Sequence, residues 1–202
     1  MMRTGVFGGT FDPVHFGHLQ TIEAAALKVR LDRVLYVPAA RSPHKDAPPS
    51  DPRHRVAMLA LALERRPDWS ISFEELDREP PSYTVDTLRA LARRSTADEF
   101  WLLMGTDALA GLAGWKEPQE ILRLARIGAF HREPYVGDGL VLPSVQGLAD
   151  RLTVFDAGSV RISSTQLREA LSAGKSPAGS VPAGVAEYIT KHGLYRSGVA
   201  RR

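Results

Sequence analysis

Eleven residues near the N-terminus hold the densest chemistry in the chain: Gly8-Gly9-Thr10-Phe11-Asp12-Pro13-Val14-His15-Phe16-Gly17-His18. Paired glycines directly after a short apolar run let the backbone approach a ligand closely and turn amide N–H groups towards it, a common way to receive phosphate. His15 and His18 are three residues apart, so on the first turn of a helix they face the same side, with Gly17 keeping that side open. Two imidazoles beside an amide-rich turn suit an anion. The segment has neither the Gly-x-Gly-x-x-Gly spacing of dinucleotide sites nor the Gly-Lys-Ser/Thr of a phosphate-binding P-loop. A zinc pair at His15 and His18 is the rival reading, but it lacks the third ligand and the positioned carboxylate base of a hydrolytic site. Asp12 either helps arrange a magnesium ion or braces the turn before Pro13.

These groups need elements to hold them, and the apolar periodicity alternates strand and helix along the whole chain. Residues 3 to 9 are short and apolar, as a buried first strand is, and Leu19, Ile22, Ala26 and Val29 then recur at helical spacing. Residues 33 to 37 predict a second strand ending at Pro38. Asp51-Pro52 starts a helix whose inward stripe reads as Val56, Leu59, Ala60 and Leu63. A strand at 69 to 73, a helix capped by Thr84, and the central strand 99 to 104 follow, the last ending at Gly105-Thr106-Asp107. Beyond it the pattern predicts a weak helix through Trp115, a helix from Pro118 to Leu124, a strand at 127 to 130 and an exposed connection over 132 to 147. A strand at 152 to 155 then precedes Ser163-Ser164-Thr165, which open a short helix. A final helix bears Val185, Tyr188 and Ile189 and is closed by Gly193. Such alternation implies an α/β fold, an open, mostly parallel sheet with helices on both faces, whose ligands bind beyond the carboxyl ends of the strands. Gly8-Gly9-Thr10, Gly105-Thr106-Asp107 and Ser163-Ser164-Thr165 all fall at strand ends or helix starts.

Composition narrows the chemistry further. The 202 residues contain no cysteine, which removes thiolate metal sites, iron–sulfur clusters and cysteine nucleophiles together. Basic residues exceed acidic ones by 26 to 23, but only five are lysines and no basic block interleaves with aromatics, so no nucleic-acid surface is expected. The apolar run after Met1 meets Gly8-Gly9 too early for a signal core or a membrane span, so a soluble cytoplasmic protein is expected, built as one domain over residues 1 to 202.

The segment GGTFDPVHFGHL resembles the His-x-Gly-His signature of the nucleotidyltransferase superfamily, and with its Phe-Asp-Pro it looks like the bacterial nicotinate-nucleotide adenylyltransferases. The resemblance continues at Pro43-His44-Lys45, Ser82-Tyr83-Thr84, Met104-Gly105-Thr106-Asp107, Trp115 and Ile162-Ser163-Ser164-Thr165, in order, from residue 3 to about residue 195. It implies a Rossmann-like nucleotidyltransferase fold. It also implies a reaction in which the phosphate of nicotinate mononucleotide attacks the α-phosphorus of ATP, giving deamido-NAD and pyrophosphate with Mg2+ assisting. Such a step needs positioning and compensation of charge rather than a protein nucleophile.

By the same resemblance His15 and His18 are the catalytic pair, donating to phosphate oxygens. ATP is held by Gly8, Gly9, Thr10, Phe11, His15, His18, Gly105, Asp107, Ile162, Ser163, Ser164 and Thr165, with Asp107 accepting from ribose hydroxyls. The mononucleotide falls to His44, Lys45, Tyr83, Thr84, Trp115 and Arg132. Lys45 is then a point charge for its phosphate, backbone amides near Tyr83 and Thr84 meet the carboxylate, and Trp115 stacks on the ring. At Arg132 the chain departs from the family, reading His131-Arg132-Glu133-Pro134 where Arg-Pro-Gly is frequent. No residue is assigned as a metal ligand, and a homo-oligomer is left open. The alternatives are a phosphopantetheine adenylyltransferase, a cytidylyltransferase, or a non-catalytic nucleotide-binding protein that retains the fold.

Overall fold

Six strands, among the residues described, run parallel in the order β3-β2-β1-β4-β5-β6: β1 Arg3–Gly9, β2 Arg33–Pro38, β3 Trp69–Ile71, β4 Glu99–Gly105, β5 Ala125–His131 and β6 Leu152–Asp156. This computed structural model describes residues 1–41, 50–131, 142–158 and 162–196. The chain lays β2 and β3 on one side of β1, then returns to place β4, β5 and β6 on the other. That reversal leaves a crevice above the carboxyl ends of β1 and β4, the place where open parallel sheets bind ligands.

The strands alternate their side chains between two apolar layers, as the pleat requires. Phe7, Tyr36, Leu103, Phe130 and Phe155 pack beneath helices α1 (Phe16–Val29), α2 (Pro52–Leu63), α7 (Ser164–Ser172) and α8 (Ala183–Lys191). Val6, Val37, Leu102, Met104 and Ile127 face α3 (Thr84–Arg94), α4 (Thr106–Ala110), α5 (Pro118–Leu124) and the short α6 (Leu148–Arg151). The α/β architecture with helices on both faces is therefore as the alternation of elements implied.

Several local expectations are corrected. β3 stops at Ile71 rather than residue 73, and the stretch to Trp115 is the single turn α4 followed by a 3-10 turn, Leu112–Gly114. The inward stripe of α2 is Arg55, Met58, Leu59, Ala62 and Leu63, rotated from the predicted one. Val56 and Ala60 give way to Arg55 and Met58, because the helix sets an arginine against the glycine loop. Val145 and Leu148 are buried, so the end of the expected exposed connection contributes to the core. Among the described residues no helix is long and apolar enough to cross a membrane.

Candidate active site

β1 delivers Gly8 and Gly9 to the crevice, pairing Gly8 with Val37 and Gly9 with Pro38. A Cβ on Gly8 would meet nothing within 4 Å, whereas one on Gly9 would come within 2.9 Å of the Phe11 ring. The strand thus ends with one open glycine and one that must be a glycine because an aromatic ring lies against it. Phe11 itself has positive φ (50°) and is 1% exposed, so any share it has in ligand binding comes from its backbone.

The following loop is held from behind. Nη1 of Arg55 donates to the Thr10 carbonyl (2.8 Å), Nη1 of Arg168 to the Asp12 carbonyl (2.8 Å), and the Ser164 hydroxyl to the Pro13 carbonyl (3.0 Å). Asp12, 5% exposed, accepts from the Tyr195 hydroxyl (2.6 Å) and from the Ser50 amide (2.9 Å). Of the two roles open to Asp12, its carboxylate performs the bracing one. Arg55 is fully buried; burial lowers its pKa, and the negative charge of Asp12 opposes that shift.

α1 begins at Phe16, so His15 is its N-cap and His18 sits one turn in. Their rings stack with centroids 3.8 Å apart and planes at 24°, and Nδ1 of His18 accepts from the His15 amide (3.3 Å). A neutral imidazole accepting at Nδ1 carries its proton on Nε2, which sets His18 as a donor at its outer nitrogen.

In front of this loop lies a cavity of about 380 Å3. One side is Gly8, Gly9, Thr10 and His18; the floor is Leu102 to Gly105 at the end of β4; the far side is Glu75, Ser82, Tyr83, Thr84, Trp115 and Lys116. Tyr83, not Thr84, is the N-cap of α3 and supplies no side-chain cap, so first-turn amides and the positive end of the helix dipole stand at the cavity. Trp115 and Tyr83 are half-buried, with the Lys116 ammonium 4.8 Å from the centre of the Tyr83 ring. Exposed ion pairs support this wall: Lys116 Nζ to Asp86 Oδ2 at 2.9 Å and Arg89 Nη2 to Glu117 Oε2 at 2.5 Å.

Glu75 is the titratable group that sequence reading missed here. It is 7% exposed and its Oε1 accepts from the Thr87 hydroxyl (2.8 Å), on which Arg78 Nη2 in turn donates (3.3 Å). Burial raises its pKa, opposed by the Thr87 hydroxyl, by Ser82 and by Arg78; the Ser82 hydroxyl is near enough to steady the charge without a hydrogen bond of ordinary geometry.

The remaining expected residues fall as follows. Asp107 is exposed on the first turn of α4, whose N-cap is Gly105. Ser163 caps α7, accepting from the Gln166 amide (3.2 Å); Ser164 is spent on Pro13; Thr165 is exposed, and Ile162 is half-buried beside them. The start of α7 is thus brought against the loop, but unlike Gly8, Gly9, Thr10 and His18 it does not line the cavity. His44, Lys45 and Arg132 lie outside the described residues. Arg55, Arg168 and Tyr195 were also missed. Arg55 alone left a signal, a charged residue at the i−4 position of Leu59 on an apolar stripe.

A sequence profile of the cytidylyltransferase-like family matches residues 6–170. A probable nicotinate-nucleotide adenylyltransferase of Thermus thermophilus is 43% identical over 96% of this chain and all of its own length. A protein of the same name from Thermomicrobium roseum is 40% identical over 98% of this chain and 93% of its own. The chain belongs to the nicotinate-nucleotide adenylyltransferase family. The fold agrees with that membership: the Plasmodium falciparum nicotinic acid mononucleotide adenylyltransferase complexed with NaAD superposes with a TM-score of 0.75 over 96% of this chain and 98% of its own, at 16% identity.

Proposed function

We propose that this member of the family transfers the adenylyl group of ATP to nicotinate mononucleotide, giving deamido-NAD and pyrophosphate, a step of NAD biosynthesis. The observation that carries the reading is the cavity at the β1/β4 crevice, walled on one side by a glycine loop with His18 and on the other by Trp115 and the open N-terminus of α3. The two sides suit two different anions. Amides at Gly8, Gly9 and Thr10, with His15, His18 and the start of α7, suit the triphosphate. The uncapped first turn of α3 suits a pyridine carboxylate, and Trp115 with Tyr83 suits the ring.

In this account a mononucleotide phosphate oxygen bonds to the α-phosphorus of ATP while the bond from that phosphorus to the oxygen bridging to the β-phosphorus breaks. Pyrophosphate leaves with the electron pair. No protein nucleophile or base takes part. The outer nitrogen of His18 donates to oxygens that gain charge in the transition state, which is where a fixed donor lowers a barrier most.

Magnesium enters this reading as an ion carried by the triphosphate. The described residues contain no group of three or more His, Asp or Glu that could hold it, and both carboxylate oxygens of Asp12 are engaged.

The test is to follow pyrophosphate while the protein is given ATP with nicotinate mononucleotide, nicotinamide mononucleotide, phosphopantetheine or a cytidylyl acceptor with CTP. The expected result is fastest release with nicotinate mononucleotide. Release only with another acceptor, or ATP binding with no release at all, overturns the reading.

A further inference from the structure

The glycine loop is tied to the far end of the chain through a contact spanning 183 residues. α8 ends at Lys191, with His192 as its C-cap, in a closed turn: the Gly193 amide donates to the Thr190 carbonyl (3.2 Å), the Leu194 amide to the Ile189 carbonyl (3.0 Å), and Gly193 has φ of 60°. That pattern is a Schellman stop, which reverses the chain direction. Tyr195 follows with φ of 66°, a left-handed conformation that a bulky side chain keeps only where its surroundings hold it. Its surroundings are the core against which its ring packs and the 2.6 Å bond from its hydroxyl to Oδ1 of Asp12.

From these contacts we propose that Tyr195 is a positioning residue of the adenylyl transfer, acting through Asp12 to fix the loop that presents Gly8 to Thr10 and His15 to the nucleotide. The inference rests on the reading that this loop holds the ATP phosphates. Asp12 is the joint because its other carboxylate oxygen takes the Ser50 amide, so the side chain can turn only by breaking two bonds at once, while its backbone carbonyl, held by Arg168, fixes the main chain. Ser50 is pinned on its other side too, its carbonyl accepting from Nε of Arg55 (3.0 Å). Since a peptide unit points its N–H opposite to its C=O, carbonyls drawn backwards at Thr10 and Pro13 turn the next amides forwards. Burial and the charge of Asp12 both push the Tyr195 phenol up, so it remains a donor throughout the working pH range.

Tyr195→Phe in the full chain keeps the ring and removes one hydroxyl. A lost hydrogen bond to a charged group is expected to lower kcat by about tenfold while leaving KM for nicotinate mononucleotide within about twofold. Amide hydrogen exchange over residues 8–16 is expected to quicken by about fivefold or more, with α3 unchanged. The double variant Asp12→Asn/Tyr195→Phe is expected to be no slower than Asp12→Asn alone, because the tyrosine acts through the aspartate. A lowered Tm with wild-type kcat, or unchanged exchange over 8–16, overturns the proposal. If the wild-type chain makes no dinucleotide from nicotinate mononucleotide, the functional reading fails instead, and the exchange measurement still decides whether Tyr195 holds the loop.

Discussion

The two sides of the cavity are built differently. The loop from Gly8 to His15 is held by the buried Arg55 of α2 and by the half-buried Ser164 and Arg168 of α7 and Tyr195 of the turn after α8. The opposite wall, Tyr83 with Trp115 and Lys116, leans on ion pairs that lie in solvent and on one cation–π contact. Partly buried hydrogen bonds to carbonyls and to a carboxylate define a position more sharply than exposed ion pairs, which are screened and hold weakly. The triphosphate side is therefore preorganised, as stabilisation of developing charge demands, and the ring side is adaptable, as stacking on an aromatic ring away from the reacting phosphorus allows.

The sharpest way to break this contrast is Arg55→Met, which leaves the Thr10 and Ser50 carbonyls without their donor and Asp12 without its buried counter-charge. A loss of about 3 kcal/mol in unfolding free energy is expected. Urea denaturation measures it, and a loss under about 1 kcal/mol would mean that the rear of the loop is not what holds it. Next is His18→Ala, expected to lower turnover by at least about tenfold in a protein of ordinary Tm, the effect of deleting one preorganised donor. Normal turnover in the folded variant removes the mechanism.

On the adaptable side, Trp115→Ala is expected to raise KM for the mononucleotide about fivefold, roughly 1 kcal/mol of stacking, and to leave KM for ATP and the Tm unchanged. A fall in kcat without change in KM would instead place Trp115 on the reacting centre. The smallest expected effect is that of Glu75→Gln, read as stability against pH. Because burial raises the folded carboxyl above its ordinary value, the folded state binds more protons than the unfolded state once pH climbs past that ordinary value. Glu75 thus favours folding most when protonated, and its contribution falls as pH rises through the raised value. Gln keeps the acceptor for Thr87 without the charge, so the variant is expected to gain on wild type from about pH 4.5 towards neutrality and to match it below. A wild-type stability profile indistinguishable from that of the variant across this range contradicts the assignment.

How legible these two sides were in the sequence differs for physical reasons. Strands and the glycine–histidine loop follow from local rules, period two or 3.6 and glycines at a strand end, so the architecture, His15 and His18 could be read directly, whereas Tyr83 and Trp115 came through the family resemblance. Thr84 was off by one as the cap because the helix takes an extended residue before it, and Tyr83 meets that need without an oxygen to cap with. Arg55 was passed over because arginine is usually solvated, and only its contact with Thr10 and Ser50 makes burial tolerable. Tyr195 and Asp12 are 183 positions apart, beyond the reach of any periodicity. Glu75 sits in a short charged stretch whose pairing with Thr87 appears only once α3 is in place.

A crystal structure of the protein with nicotinate mononucleotide bound tests the central claim most directly. The account predicts the pyridine ring against Trp115, its carboxylate at the first-turn amides of α3, and its phosphate facing the loop between Gly8 and His18. A mononucleotide bound outside this cavity, or bound with its phosphate turned away from that loop, would contradict it.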